Sequence, residues 1–156
     1  MLFTIGAFAI ILDDEGRVLL SHRRDLDLWN LPGGRVESGE LPTEAVIRET
    51  REETGLETSI ERLIGVYGKK NVDELVFAFS CRVTGGELRI TEEADKQAFF
   101  RIEELPENTI PKHVERILDA LEAGRAPVFK RQVQMSSRAW LDHLREEGFF
   151  GPPHQA

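Results

Sequence analysis

Cysteine is almost missing from this chain of 156 residues; Cys81 is the only one. One thiol cannot close an intramolecular disulfide, so a disulfide-stapled secreted scaffold is excluded and a reducing, cytoplasmic setting is expected. Cys81 sits in a strand-like run, where a thiol is expected to be buried and inert. Long apolar runs are also missing. The apolar start at 2–12 is too short to span a bilayer and has no basic leader, so neither a membrane partner nor a targeting segment is expected. Positive charge is in the minority: 20 Lys and Arg stand against 28 Asp and Glu, a formal net charge of −8 at pH 7. Without a concentrated basic patch, DNA and RNA are not expected partners. No internal repeat is visible.

What remains is the composition of a globular protein, 40% hydrophobic and 31% charged, long enough for one domain with a sizeable core. Residues 4–12 are rich in β-branched and aromatic side chains and read as a strand, followed by a turn at Asp13-Asp14-Glu15-Gly16 and a returning strand at 17–22. Further strands are expected at 59–69, 74–84 and 98–102, with a turn at Gly85-Gly86. Helices are expected at 112–123 and 136–147. In the second of these, Ala139, Trp140, Leu141 and Leu144 form a partial apolar face. That face suits packing on its own domain or, as the alternative, a homodimer contact. Residues 148–156, with Pro152 and Pro153, read as a flexible tail.

The densest pattern lies at 34–56. Five residues separate Gly34 from Glu40, seven separate Glu40 from Arg48, and Glu49, Glu52, Glu53, Gly55 and Leu56 follow. Residues 42–54 should form a helix. Pro42 suits the first turn, where its missing N–H costs little, and Gly55 suits a left-handed cap. At about 100° per residue, Glu49, Glu52 and Glu53 share one face, with Arg48 at its border. Val46, Ile47, Thr50 and Thr54 fall on a packing face. Ala45, one turn before Glu49, is small enough to leave room for a ligand. Three carboxylates on one face repel one another; a packed site needs a cation there, and carboxylate oxygens suit Mg²⁺ or Mn²⁺. A merely solvated, charge-rich helix does not account for Glu40 and the glycines at fixed offsets.

This order of residues resembles the Nudix box of the MutT-like hydrolases, a glycine-led loop and acidic helix that hold divalent metals against a pyrophosphate. Eight of nine defined positions match; Thr50 stands where the family usually has an aliphatic side chain. The resemblance extends to the lead-in Trp29-Asn30-Leu31-Pro32-Gly33-Gly34 and to 93–100 with Glu104-Leu105-Pro106, and covers roughly 3–123. It implies an α/β fold, the Nudix-type α/β/α sandwich with a mixed β-sheet. The domain is expected at 1–124, followed by a C-terminal extension at 125–156 with one helix and a flexible tail.

By position, the resemblance makes Glu49, Glu52 and Glu53 metal ligands, joined by the backbone carbonyl of Gly33. Glu49 also occupies the position that serves some relatives as general base. Arg48 would orient Glu49 or Glu52. Glu40 would brace the loop at the helix start, and Gly34, Gly39 and Gly55 would let the chain bend. A later acidic residue is implied at Glu93, with Glu92 as understudy, because Lys96 stands where many relatives carry a second Glu. Arg23, Asn30 and Gly34 are the candidate substrate contacts, with Arg24, Phe8, Phe77 and the turn at 110–113 nearby. For Phe8 and Phe77 a core role is the simpler expectation, and for His113 a helix-start role.

The implied activity is metal-dependent hydrolysis of the pyrophosphate bond in a nucleoside diphosphate linked to another group: a nucleotide sugar such as ADP-ribose, or a nucleoside triphosphate. The alternative is a nucleotide-binding sensor with little turnover. No proline lies between Leu56 and Pro106, unlike many ADP-ribose specialists, and Tyr67 is too close to the box to mark a dinucleoside polyphosphate enzyme.

Overall fold

The computed structural model describes residues 1–122, 124 and 126–149; the tail expected at 148–156 therefore lies almost wholly outside the described residues. Two sheets form the centre. The first has five strands in the order β4-β1-β6-β5-β8, with β1 at Thr4–Ile11, β4 at Gly33–Arg35, β5 at Leu56–Lys69, β6 at Val72–Gly86 and β8 at Val128–Gln132. The second is antiparallel, β3-β2-β7, with β2 at Val18–Arg23, β3 at Trp29–Asn30 and β7 at Ala94–Phe100. The first sheet is mixed: β1 runs parallel to β6 and antiparallel to β4, while β5 is antiparallel to β6 and parallel to β8.

Alternation along β1 sorts the core into two layers. Ala7, Ala9 and Ile11 join Ala45 and Val46 of helix α1 (Pro42–Thr54), together with Phe79 and Cys81. Ile10 joins Ile64, Tyr67, Ala78 and Ile117 of helix α2 (Pro111–Leu121). A helix therefore covers each side of the strands, which is the expected α/β/α sandwich. Helix α3 (Ser137–Glu146) packs Leu141 and Leu144 against Leu28 and Ile110 of its own chain. Its start is capped by Ser136, whose Oγ accepts the Ala139 N–H.

Several expectations are corrected. Gly85 and Gly86 do not make a turn; they pair with Glu57 and Leu56 inside the β5–β6 ladder. Gly86 (φ 76°) is needed because a Cβ there would meet the Gly55 carbonyl oxygen at 2.3 Å. The β5–β6 turn falls instead at Lys70 and Asn71, with Asn71 in the left-handed region at φ 64°. β7 begins at Ala94, four residues before the expected strand, and ends at Phe100 before a short 3-10 turn at Ile102–Glu104. The extension after 125 contributes more than one helix, since β8 adds to the edge of the main sheet beside β5. The short strands β3 and β4 are also additions to the sequence expectation. Ala45 is fully buried in the core. Among the described residues no helix is long and apolar enough to cross a membrane.

Candidate active site

Helix α1 begins where Pro42 permits and ends at Gly55, whose φ of 83° lets its N–H close on the Arg51 carbonyl. At the other end the Leu41 N–H donates to the Glu44 carboxylate at 2.9 Å. The helix sets its acidic side against β4. A Cβ on Gly34 would stand 2.6 Å from the Glu49 carboxyl carbon, so the absence of a side chain at 34 is what makes room for Glu49. A Cβ on Gly33 would strike the Ala7 carbonyl at 2.3 Å, and its φ of 151° also favours glycine.

Glu49, Glu53 and Glu93 each bring a carboxylate oxygen to within 4.8 Å of the others. Glu53 is only 5% exposed and accepts the Gly33 N–H at 3.0 Å. Burial, with the charges of Glu93 and Glu49 adding to it, pushes its carboxyl up to about 8. Burial likewise raises the Glu49 carboxyl, against the opposing pull of Arg48. Such a group of hard oxygens around a half-buried point could hold a divalent cation, which would remove the mutual repulsion that now favours protonation. Glu52 is not one of the three. Its side chain is 52% exposed and turns toward Arg48.

Glu93 comes from a loop far along the chain; the Arg89 N–H donates to the Thr54 carbonyl, Arg24 donates to the Thr91 carbonyl, and two further side chains bind the loop to the helix end. The Thr91 hydroxyl donates to the Glu53 carbonyl at 3.0 Å and accepts the N–H groups of Glu93 and Ala94. Gln97 donates its side-chain N–H to the same carbonyl. Neither residue stands out in the sequence, because both contacts cross about forty positions and carry no local pattern.

Arg48 is the electrostatic centre of the box. Its guanidinium donates to both oxygens of Glu40 (2.8 and 3.0 Å), to Glu49 (3.1 Å), to Glu52 (3.2 Å) and to the Arg35 carbonyl. It thus orients both candidates, Glu49 and Glu52, while gripping Glu40 in a two-pronged pair. That pair, first, and the Glu37 N–H hold the Glu40 carboxyl down at about 2. Glu40 therefore braces the loop through Arg48 and Glu37 rather than through the helix N–H groups.

Beside the carboxylates opens a cleft of about 400 Å³ lined by Phe8, Arg23, Asn30, Gly33, Glu53 and Glu93, among others. Arg24, Asp25 and Glu92 complete it. Arg23 is paired with Asp25, its Nε donating at 2.8 Å. The buried Asn30 Oδ1 has no partner and faces no competition for a ligand's N–H or O–H. Phe8 sits edge-on to His113 with centroids 4.9 Å apart. Phe77 stacks on Phe79 in the α1-side core, away from the cleft. His113 is buried and its Nδ1 accepts the Leu31 N–H at 2.9 Å; burial first, then Arg116 and Lys112, hold it well below its ordinary pKa.

The family model described as NUDIX domain matches residues 2–121. A Bacillus subtilis protein provisionally named as an 8-oxo-dGTP diphosphatase is 42% identical over 86 residues, 55% of this chain and 58% of that one. An ADP-ribose pyrophosphatase of Methanocaldococcus jannaschii is 37% identical over 103 residues, 62% of this chain and 61% of its own. The match thus spans about three fifths of each relative. Among solved structures, a NUDIX hydrolase from Nitrosomonas europaea has the same fold at a TM-score of 0.75 and 19% identity, covering 86% of this chain and 81% of that one.

Proposed function

The chain belongs to the Nudix family, and from that premise we propose that it is a metal-dependent pyrophosphohydrolase of a small nucleotide. The substrate is a nucleoside diphosphate linked to another group, either a nucleotide sugar such as ADP-ribose or a nucleoside triphosphate. The names of the two relatives support both classes. The observation that carries the reading is the meeting of Glu49, Glu53 and Glu93 within 4.8 Å at the edge of the cleft.

In this reading Glu49, Glu53 and Glu93 would hold Mg²⁺ or Mn²⁺, with Glu52 and the Gly33 carbonyl as further candidate ligands. When bound, the ion supplies positive charge against the phosphate oxygens and lowers the pKa of a water. The chain's own residues do the rest. Arg48 keeps Glu49 aligned, and the Gly33 N–H keeps Glu53 in place. Either Glu49 or Glu93 would take the proton as water oxygen bonds to phosphorus and the bridging P–O bond breaks. Arg23, on the cleft wall, offers charge to the displaced phosphate. Asn30 offers an acceptor for a hydrogen-bond donor on the base or sugar. A cytoplasmic location belongs to the same proposal, supported by the single buried thiol at Cys81.

The test is a panel of nucleotide sugars and nucleoside triphosphates with product identification. Turnover should need Mg²⁺ or Mn²⁺, stop with EDTA and return with excess metal. Full activity in metal-stripped buffer, or no cleavage of any member of the panel, would remove this reading.

A further inference from the structure

A second site lies at the far side of Phe8. Lys69, Lys112 and Arg116 converge on a small cavity, with Glu74 as the one carboxylate in its lining. None of its lining residues lines the cleft beside the carboxylates. Arg116 is 3% exposed, a burial that a guanidinium ordinarily tolerates only with a counter-charge. Here its Nε and Nη2 both go to one neutral acceptor, Gln132 Oε1, at 3.2 and 2.8 Å. Its Nη1 is buried without any partner. The rings of Phe8 and Tyr67 lie 5.2 and 5.4 Å from the guanidinium carbon, which offsets part of the cost but supplies no acceptor. Lys112 is held below its ordinary pKa by burial first, then by Arg116 and Lys69. Three cations thus gather beside two carboxylates, Glu74 in the lining and Glu115, which accepts from Gln132 at 3.0 Å, and neither carboxylate bonds the guanidinium.

We propose that this cavity binds a small anion, either a whole halide ion or one oxygen of a phosphoryl group entering from solvent. The size sets the class, since the cavity has room for about one water-sized group. The donors set the sign: the free N–H of Arg116 and the ammonium groups of Lys69 and Lys112 meet the ligand. An anion there would pair the unpartnered Nη1 of Arg116 and ease the repulsion among the three cations.

The test is thermal unfolding of the full chain in sodium gluconate, with sodium chloride, bromide or phosphate exchanged in at constant ionic strength. A saturable rise in Tm is expected, and Lys112→Gln and Lys69→Gln should each weaken the apparent affinity at least about tenfold. Arg138→Gln, on the exposed face of α3, should titrate as the parent does. A response to halides assigns the whole-ion mode, and a response to phosphate alone assigns the phosphoryl mode. Crystals soaked in bromide would show an anomalous peak beside Arg116 in the first case. A rise that never saturates, or one that is equal in the parent and both lysine variants, overturns the proposal.

Discussion

Thr50 is the one box position that departs from the family's aliphatic pattern, and its hydroxyl is buried with no partner. Its carbonyl, not its side chain, is engaged, accepting from the Thr54 hydroxyl at 2.6 Å. Thr50→Val should therefore leave stability unchanged or raise it. A loss above about 2 kcal/mol in denaturant unfolding would reveal a partner for the hydroxyl. Glu53 makes the opposite kind of prediction. Its folded pKa of about 8 lies above the ordinary 4.5, so the folded state holds a proton that the unfolded chain releases. In metal-free buffer that contribution is complete below about pH 4.5 and fades as pH climbs toward 8. Glu53→Gln should flatten this slope and, in EDTA, be no less stable than the parent at neutral pH. With metal it should lose at least tenfold in kcat, about 1.4 kcal/mol of barrier. Glu40, held down at about 2, runs the other way: its contribution is present above pH 4.5 and is lost as pH falls toward 2.

At the scale of elements, α1 could be read to its ends from sequence because Pro42 and Gly55 are local signals with local causes. The wheel also places Glu49, Glu52 and Glu53 together, but it cannot say which of them meets Glu93. That choice depends on the loop before β7, held by Thr91 and Gln97 across 38 and 44 positions. Likewise β3 and β4, of two and three residues, are too short to carry a period, and the pairing of β8 with β5 links segments some sixty residues apart. Two substitutions examine these couplings. Gly34→Ala keeps an acceptable backbone but drives a methyl into the Glu49 carboxylate, so kcat should fall more than tenfold while Tm changes little. Thr91→Val removes the hydroxyl that ties the loop to α1. It should cost about 1 kcal/mol in chemical unfolding and lower kcat, because Glu93 is no longer held beside Glu53. An unchanged kcat would mean that the contacts left in place, from Gln97, Arg24 and Arg89, secure the loop.

For the whole molecule, β8 joins layers that the box does not reach. It seals the edge of β5, its Lys130 pairs with Asp119 at 2.6 Å, and its Gln132 is the acceptor for Arg116. Ending the chain at residue 124 should therefore lower Tm even though every box residue remains, and a truncated protein as stable as the parent would show that β8 is dispensable. The same feature bears on how the protein is made. Synthesis runs from the N-terminus, so the acidic helix and fourteen-residue β5 leave the ribosome well before the strand that covers β5's outer edge. During that interval a nascent chain presents open backbone donors and acceptors to any neighbouring strand. A stalled chain that ends just short of Val128, carried clear of the ribosome on a flexible linker, should be recognised by chaperones and proteases, and one that runs past Gln132 on the same linker should not.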